Sequence, residues 1–296
     1  MRFCISLIFI LFSVFSIKSQ EIITYHFGGL NQTLDSTLLK FLKIDLSTCE
    51  FEEFMTISTS IYSQPLGFAD IGYAPDGYLY GVGGLDVYRI DVDAGEVLAS
   101  WSLPTGILPL GVRFSGMYIN NEGLMYLSGE DGWMVSFDIN TEEFNVLGML
   151  NDDFPYRLTL FAIAEYRGRT FGSLVNGHLV EIFLDEMRAE YIMRSRSTEQ
   201  SLFIYEVECG TPIFITGTNS GVLRKLDPEL DTFYNLCQIP MMSNIFLGIT
   251  SFTEYQEFSN CRDTIDLNST LPGFDHFTID ECGDGRGYIA DDSVQV

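Results

Sequence analysis

The chain has 296 residues, with 41 Asp and Glu against 16 Lys and Arg, a formal charge of −25 and a pI near 4.2. Too few cations are present to coat a nucleic-acid backbone, and an anionic membrane surface repels such a chain. A hydrophobic fraction of 46%, with 24 Phe and 15 Tyr, is too high for a disordered acidic tail, so a folded acidic protein is expected.

Residues 1–19 read as a signal peptide. Arg2 opens the segment, an apolar run extends from Ile5 to Ile17, and Ser19 marks a small-residue exit. The apolar run is too short to span a bilayer, and Lys18-Ser19-Gln20-Glu21 ends it abruptly. Removing it takes Arg2 and Lys18 but no acid, leaving 14 cations against 41 anions, a charge of −27. Secretion or display at the cell surface is the expected localisation, with no membrane span in the mature chain.

The body of the chain repeats. A short alternating strand that ends in Asp recurs as Phe41 to Asp45, Val87 to Asp91, Trp133 to Asp138 and Leu223 to Asp227, with a further copy, Val180 to Leu184, that has Leu in the Asp place. The steps are 46, 47, 46 and 43 residues. A second anchor, Phe68, Phe114, Phe161 and Phe203, keeps nearly the same period with steps of 46, 47 and 42. Two markers advancing together define a structural repeat.

The clearest unit contains four strand-like runs. Phe68 to Tyr73 leads into the turn Ala74-Pro75-Asp76-Gly77, then Tyr78 to Val82 into Gly83-Gly84. Leu85 to Asp91 leads into Val92-Asp93-Ala94-Gly95, and Glu96 to Leu103 is closed by Pro104. Pro-Asp-Gly and Asp-Ala-Gly supply the fixed and the positive φ that tight hairpins need. No comparable window keeps a 3.6-residue apolar period, so helix is scarce.

Four antiparallel strands in each 40–50-residue unit predict an all-β fold, a β-propeller, in preference to a β-sandwich or a parallel β-helix. Residues 66–243 hold four complete units. The N-terminal strands Ile22 to Phe27, Leu38 to Asp45 and Phe51 to Ile57 lack an innermost member, and Phe246 to Thr253 supplies one at the expected phase. Joined, they predict a fifth blade that closes the ring with both chain ends and removes its open edges. The expected organisation is a signal peptide over 1–19, a propeller over 20–259 and a tail over 260–296 that reads as the start of a further small module or a linker.

Cys4 leaves with the signal. Cys49, Cys209, Cys237, Cys261 and Cys282 remain, and an odd number leaves at least one free or paired between chains. Cys261 and Cys282 are expected to bridge the tail, closing a loop of about 20 residues and contributing about 3 kcal/mol. No C-x2-C pair occurs, so a zinc ribbon or redox motif is not expected.

The pattern Phe68-Ala-Asp-Ile-x-Tyr-x-Pro-Asp-Gly-x-Leu-Tyr-Gly81, with Tyr88-Arg-Ile-Asp-x-Asp-x-Gly95 after it, resembles the propeller-like N-terminal regions of secreted Bacteroidetes surface proteins. The tail segments Ile265-Asp-Leu-Asn-Ser-Thr270 and Ile289-Ala-Asp-Asp-Ser-Val294 are similar to the segment C-terminal to the propeller in that group. The resemblance implies a longer multidomain chain with adhesion modules and a sorting or gliding-associated C-terminal domain. It supplies no catalytic residue.

The sequence offers little catalytic chemistry. His26, His178 and His276 are far apart, and His178 in Asn176-Gly177-His178 reads as a solvated turn histidine. There is no nucleophile elbow, HExxH or P-loop motif. Asp70 on an innermost strand, with Asp76, Glu122 and Asp152-Asp153 near strand starts, defines the rival reading of a secreted hydrolase with carboxylates at the channel mouth. No cofactor is expected; calcium is the alternative, through Asp91 and Asp93 or Asp280, Glu281 and Asp284, but such Asp residues mostly cap their own turns. Trp101 and Trp133 are the candidate glycan platform, with packing between blades as the simpler role. The sequons at Asn31 and Asn268 mark acceptor positions for a glycosylating host. No catalytic, cofactor-binding or metal residue is assigned.

The expected function is a non-enzymatic interaction module. A surface protein or polysaccharide would be held by inter-blade loops such as Ser102 to Gly111 and Leu150 to Tyr156.

Overall fold

A computed structural model describes residues 21–27, 38–58, 68–150, 158–194, 199–207, 211–218, 221–239, 248–251, 277–278 and 288–289. It is all-β, as expected, with antiparallel four-stranded sheets set in a propeller-like ring. The first consecutive sheet comprises β4 (Asp70–Tyr73), β5 (Leu79–Gly83), β6 (Asp86–Asp91) and β7 (Glu96–Ser102), preceded in the chain by β1 (Glu21–Phe27), β2 (Leu38–Asp45) and β3 (Phe51–Ser58). The second comprises β8 (Phe114–Ile119), β9 (Leu124–Gly129), β10 (Trp133–Asp138) and β11 (Glu143–Met149). In the third are β12 (Leu160–Tyr166), β13 (Arg169–Leu174), β14 (His178–Phe183) and β15 (Arg188–Arg194). The fourth holds β16 (Glu199–Val207), β17 (Thr211–Thr218), β18 (Val222–Asp227) and β19 (Thr232–Gln238).

A further sheet draws on both ends of the chain. Its order is β20-β1-β2-β3, with β20 (Ile249–Ser251) paired to β1 through Ile22↔Ser251 and Thr24↔Ile249. A two-stranded ladder of β21 (Phe277–Thr278) and β22 (Tyr288–Ile289) completes the described strands.

The first strands of the sheets line the middle of the arrangement. Strand β4 lies beside β8, β8 beside β12 and β12 beside β16, while β20 touches both β16 and β4. Each sheet buries its faces on its neighbours. Tyr80, Val82 and Val87 of the first consecutive sheet pack on Met117, Met125 and Phe137 of the second. Met134 meets Leu160 and Val180, and Phe171 meets Leu202 and Phe214, at the next two interfaces. The mixed sheet packs on both sides, through Leu39 and Phe41 against Phe68 and Ile71, and through Ile22 and Ile44 against Ile215 and Leu223. Burial of apolar faces between sheets is thus the cohesive force, at about 25 cal/mol per Å² removed from water.

The strand-ending aspartates have a local cause. Asp91 Oδ1 accepts the amides of Asp93 and Ala94, both at 2.9 Å, and Asp138 Oδ1 those of Asn140 and Thr141 at 2.8 and 3.3 Å. Asp45 Oδ1 accepts from Ser47 and Thr48, and Asp227 Oδ1 from Leu230. Each carboxylate therefore folds the chain from the third strand of a sheet into the fourth. Four residues later the backbone turns left-handed, at Cys49, Gly95, Glu142 and Asp231 (φ 61°, 66°, 60° and 47°). In the third consecutive sheet this residue is Met187, φ 48°, so Phe183 occupies the Asp position. The sequence register that put Leu184 there is one residue too late.

The phenylalanine period also holds only in part. Phe114, Leu160 and Glu199 begin their strands in the same way, each with a register shift before Gly116, Ala162 and Ser201. Phe161 is the bulged, half-buried residue, and Phe203 lies further along β16. The bulges displace the aromatic marker from the structural one.

Cys49 and Cys237 form a disulfide, with Cα atoms 5.4 Å apart. Cys209 and the expected Cys261–Cys282 pair lie outside the described residues, as does the signal segment. Among the described residues no helix is long and apolar enough to cross a membrane.

Candidate functional site

At the centre of the arrangement the first strands approach closely because their facing residues are small. A Cβ placed on Gly116 would lie 2.7 Å from Ala162 Cα and 2.8 Å from Ser128 Oγ. Ser115 and Ser128 donate their hydroxyls across this seam to the Leu160 carbonyl, the latter at 3.4 Å. Asp70 occupies the equivalent place on β4. Its Oδ1 accepts the Ile71 amide at 3.0 Å, and its Oδ2 accepts the Met117 amide of the neighbouring sheet at 2.9 Å. Burial pushes the Asp70 pKa well above the ordinary carboxylate value, against the lowering effect of those two N–H donors. The side chain is thus a clamp between β4 and β8.

The other acids of the carboxylate reading are placed differently. Asp76 sits in the β4–β5 turn, accepting the Tyr78 amide at 3.1 Å and the Tyr80 hydroxyl at 2.8 Å. Strand β4 separates it from Asp70 by on the order of 10 Å. Burial, then Asp76, raises the Tyr80 pKa. Glu122 is exposed in the β8–β9 turn, and Asp152 and Asp153 lie outside the described residues.

Asp91, one of the calcium candidates, places an oxygen on its own turn, and burial together with the charge of Asp93 pushes the Tyr73 hydroxyl up to about 12. Asp280, Glu281 and Asp284 lie outside the described residues, as do His276 and the sequons at Asn31 and Asn268. His26 is on β1 opposite Lys40.

His178 departs from the solvated reading. It opens β14, is half-buried and packs edge-on against Tyr191, with ring centroids 5.2 Å apart. Burial, then Arg194, lowers its pKa. Both tryptophans pack between the first and second consecutive sheets: Trp101 stacks near Tyr80 and tilts against Phe137 at 5.3 Å, and Trp133 joins the same cluster.

The predicted binding loop from Ser102 to Gly111 is described throughout, within the connection that runs from β7 to β8. Leu103, Leu108 and Val112 are buried in the cluster between these two sheets. Between those anchors Ile107 is 48% exposed and Leu110 fully exposed at the surface. The expectation from sequence placed binding here on loop position alone; the alternation of anchored and projecting apolar residues became visible only with the fold. Of the Leu150 to Tyr156 loop only Leu150, which is buried, is described.

No family model and no curated protein matches the chain. The adhesin and gliding-associated likeness therefore stays with the turn and core motifs that suggested it. Among solved structures, the chain is similar to a protein of unknown function from Bacteroides caccae, at 14% identity over 74% of this chain and 73% of that one, with a TM-score of 0.44. It is also similar to U3-55K, at 10% identity over 68% of this chain, with a TM-score of 0.43. This chain matches 62% of the length of that second structure.

Proposed function

We propose that the protein is a secreted or surface-displayed, non-enzymatic interaction module built on a five-bladed β-propeller. The mixed sheet β20-β1-β2-β3, seated between the fourth and first consecutive sheets, supports the fifth blade. A disulfide between Cys49 and Cys237 is compatible with an oxidising compartment.

The observation that carries the binding reading is the loop with Ile107 and Leu110 held outward by three buried anchors. Apolar side chains projected from a fixed loop on a rigid scaffold are suited to protein or polysaccharide recognition, because little ordering entropy is lost on contact. The partner is a surface protein or polysaccharide.

Two measurements test this. The intact mass of the native product, with and without reduction, is expected to show loss of residues 1–19 and retention of a disulfide. Capture on protein and glycan arrays is expected to weaken in Ile107→Asp/Leu110→Asp without loss of folding. Capture unaffected by that pair moves binding away from the loop. Turnover of glycan or ester substrates that disappears in Asp70→Asn supports the hydrolase instead.

A further inference from the structure

The chain is charged unevenly. Among the described residues, those within 21–150 include 4 cations and 17 acids, whereas those within 158–239, in the third and fourth consecutive sheets, include 6 and 10. An approaching anion is therefore repelled least on that side.

On that side lies a cleft of about 590 Å³, within the 300–1,000 Å³ typical of small-ligand sites. It opens where the β12–β13 hairpin meets β17 and β18. Its apolar lining includes Tyr166, Phe171, Phe214 and Pro212, with the Phe171 and Phe214 rings set edge to face at 5.0 Å. These rings are almost fully buried, so they close the bottom of the cleft and offer no open face for a sugar to stack on.

Three cations reach the same cleft: Arg167, Arg169 and Lys225. Glu181 grips Arg169 through Nε and Nη2, both at 2.8 Å, and so fixes that guanidinium in place. Arg167 sits at the hairpin tip in left-handed backbone, φ 51°, with its guanidinium 5.3 Å from the centre of the Tyr166 ring. Asp227 and Glu229 also line the cleft and disfavour a polyanion.

We infer that this cleft binds a small organic monoanion, one carboxylate on an apolar body. The body packs against the half-buried Ile192 and Pro212 above those rings, and the carboxylate meets Arg167 and Lys225 beside the Glu181-held Arg169. The site is distinct from the Ile107–Leu110 loop. Strands β12 and β18 run toward it, whereas that loop joins the end of a fourth strand to the start of a first, on the opposite rim.

The test uses 1-naphthoate and its uncharged analogue 1-naphthamide, titrated calorimetrically into the full secreted chain. One-site saturable binding of the acid is expected, with the amide about tenfold weaker or worse. Arg167→Asn/Lys225→Gln removes two charges, and Asn tolerates the left-handed backbone at 167, so folding is kept. This pair is expected to weaken naphthoate about tenfold or more, while Arg188→Gln, outside the cleft, leaves it unchanged. Absence of saturable binding up to about 10 mM, equal affinity for acid and amide, or undiminished binding by the pair overturns the inference.

Discussion

Cys49, in the turn between β2 and β3, is bonded to Cys237 on β19, 188 residues further along the chain. The bond lies within the apolar contact between the mixed sheet and the fourth consecutive sheet, beside Ile44, Leu223 and Ile239. That contact brings together two ends of the repeat array, and closing so long a loop carries a large entropic cost. A cross-link there removes that cost from the unfolded chain.

The double variant Cys49→Ser/Cys237→Ser should therefore lose about 2–5 kcal/mol, read as a lower urea midpoint under non-reducing conditions. Reductant should lower the wild-type midpoint toward that of the variant. A midpoint indifferent to both changes shows that the two sheets dock without help from the bond.

The left-handed residue after each third strand gives a second prediction. Gly95 accommodates φ 66° without a Cβ, whereas Glu142 holds φ 60° with one. A left-handed non-glycine residue costs about 1 kcal/mol. Glu142 is exposed, so Glu142→Gly removes that strain at little loss of packing. Its urea midpoint is expected to rise, by up to about 1 kcal/mol of stability; a fall would show that the added freedom of the unfolded chain outweighs the strain.

Asp138 belongs to the same turn, and the amide of Asn140, with that of Thr141, holds its carboxyl below the usual value. A depressed folded pKa means that the stabilisation is present above the unfolded value, near 3.9, and is lost as pH falls through the folded pKa. Asp138→Ala should thus lower the melting temperature at pH 7 and converge with wild type as the pH falls below about 4. A constant gap across that range would assign the effect to packing instead.

These turns also explain what was legible from sequence. Asp45, Asp91, Asp138 and Asp227 are readable because turn chemistry is local: a carboxylate bonding amides two and three residues on leaves a fixed spacing in the chain. The strand alternation and the pairing of β20 with β1 come from the same period. The third consecutive sheet slipped by one because Phe183 replaces Asp, leaving no polar marker. The Cys49–Cys237 bond and the cleft beside Arg167 depend on which residues the sheets bring together across long separations, which no local pattern encodes. Ile107 and Leu110 were inside a predicted loop, but their projection depends on Leu103, Leu108 and Val112 finding an inter-sheet core.

The central seam supplies a further prediction. Gly116 faces Ala162 of the next sheet, and a Cβ there meets backbone at 2.7 Å. Backbone cannot swing aside as a side-chain tip can, so Gly116→Ala must push β8 and β12 apart. A loss of about 1–3 kcal/mol is expected in urea denaturation. Gly77→Ala serves as the control, since it has open space around it and suffers only from its left-handed backbone. If Gly116→Ala costs no more than Gly77→Ala, the close approach of the strands is not required.

Asp70 gives the pH prediction with the clearest sign. Its folded pKa is raised by burial, above an unfolded value near 3.9. The folded protein then holds a proton more tightly than the unfolded chain, and this group's contribution falls as pH rises from about 4 through the folded pKa. Asp70→Asn is uncharged at every pH and keeps a carbonyl to accept from Met117. The variant should therefore gain on wild type as pH is raised from 4.5 to 7.5, in urea midpoints measured at each pH. Asp70→Ala is equally uncharged but leaves the Met117 amide without its acceptor, so it should stay about 1–3 kcal/mol less stable than Asp70→Asn at both ends of that range. Wild type gaining on Asp70→Asn with rising pH would mean that the Ile71 and Met117 amides outweigh burial, and that the clamp works as a carboxylate.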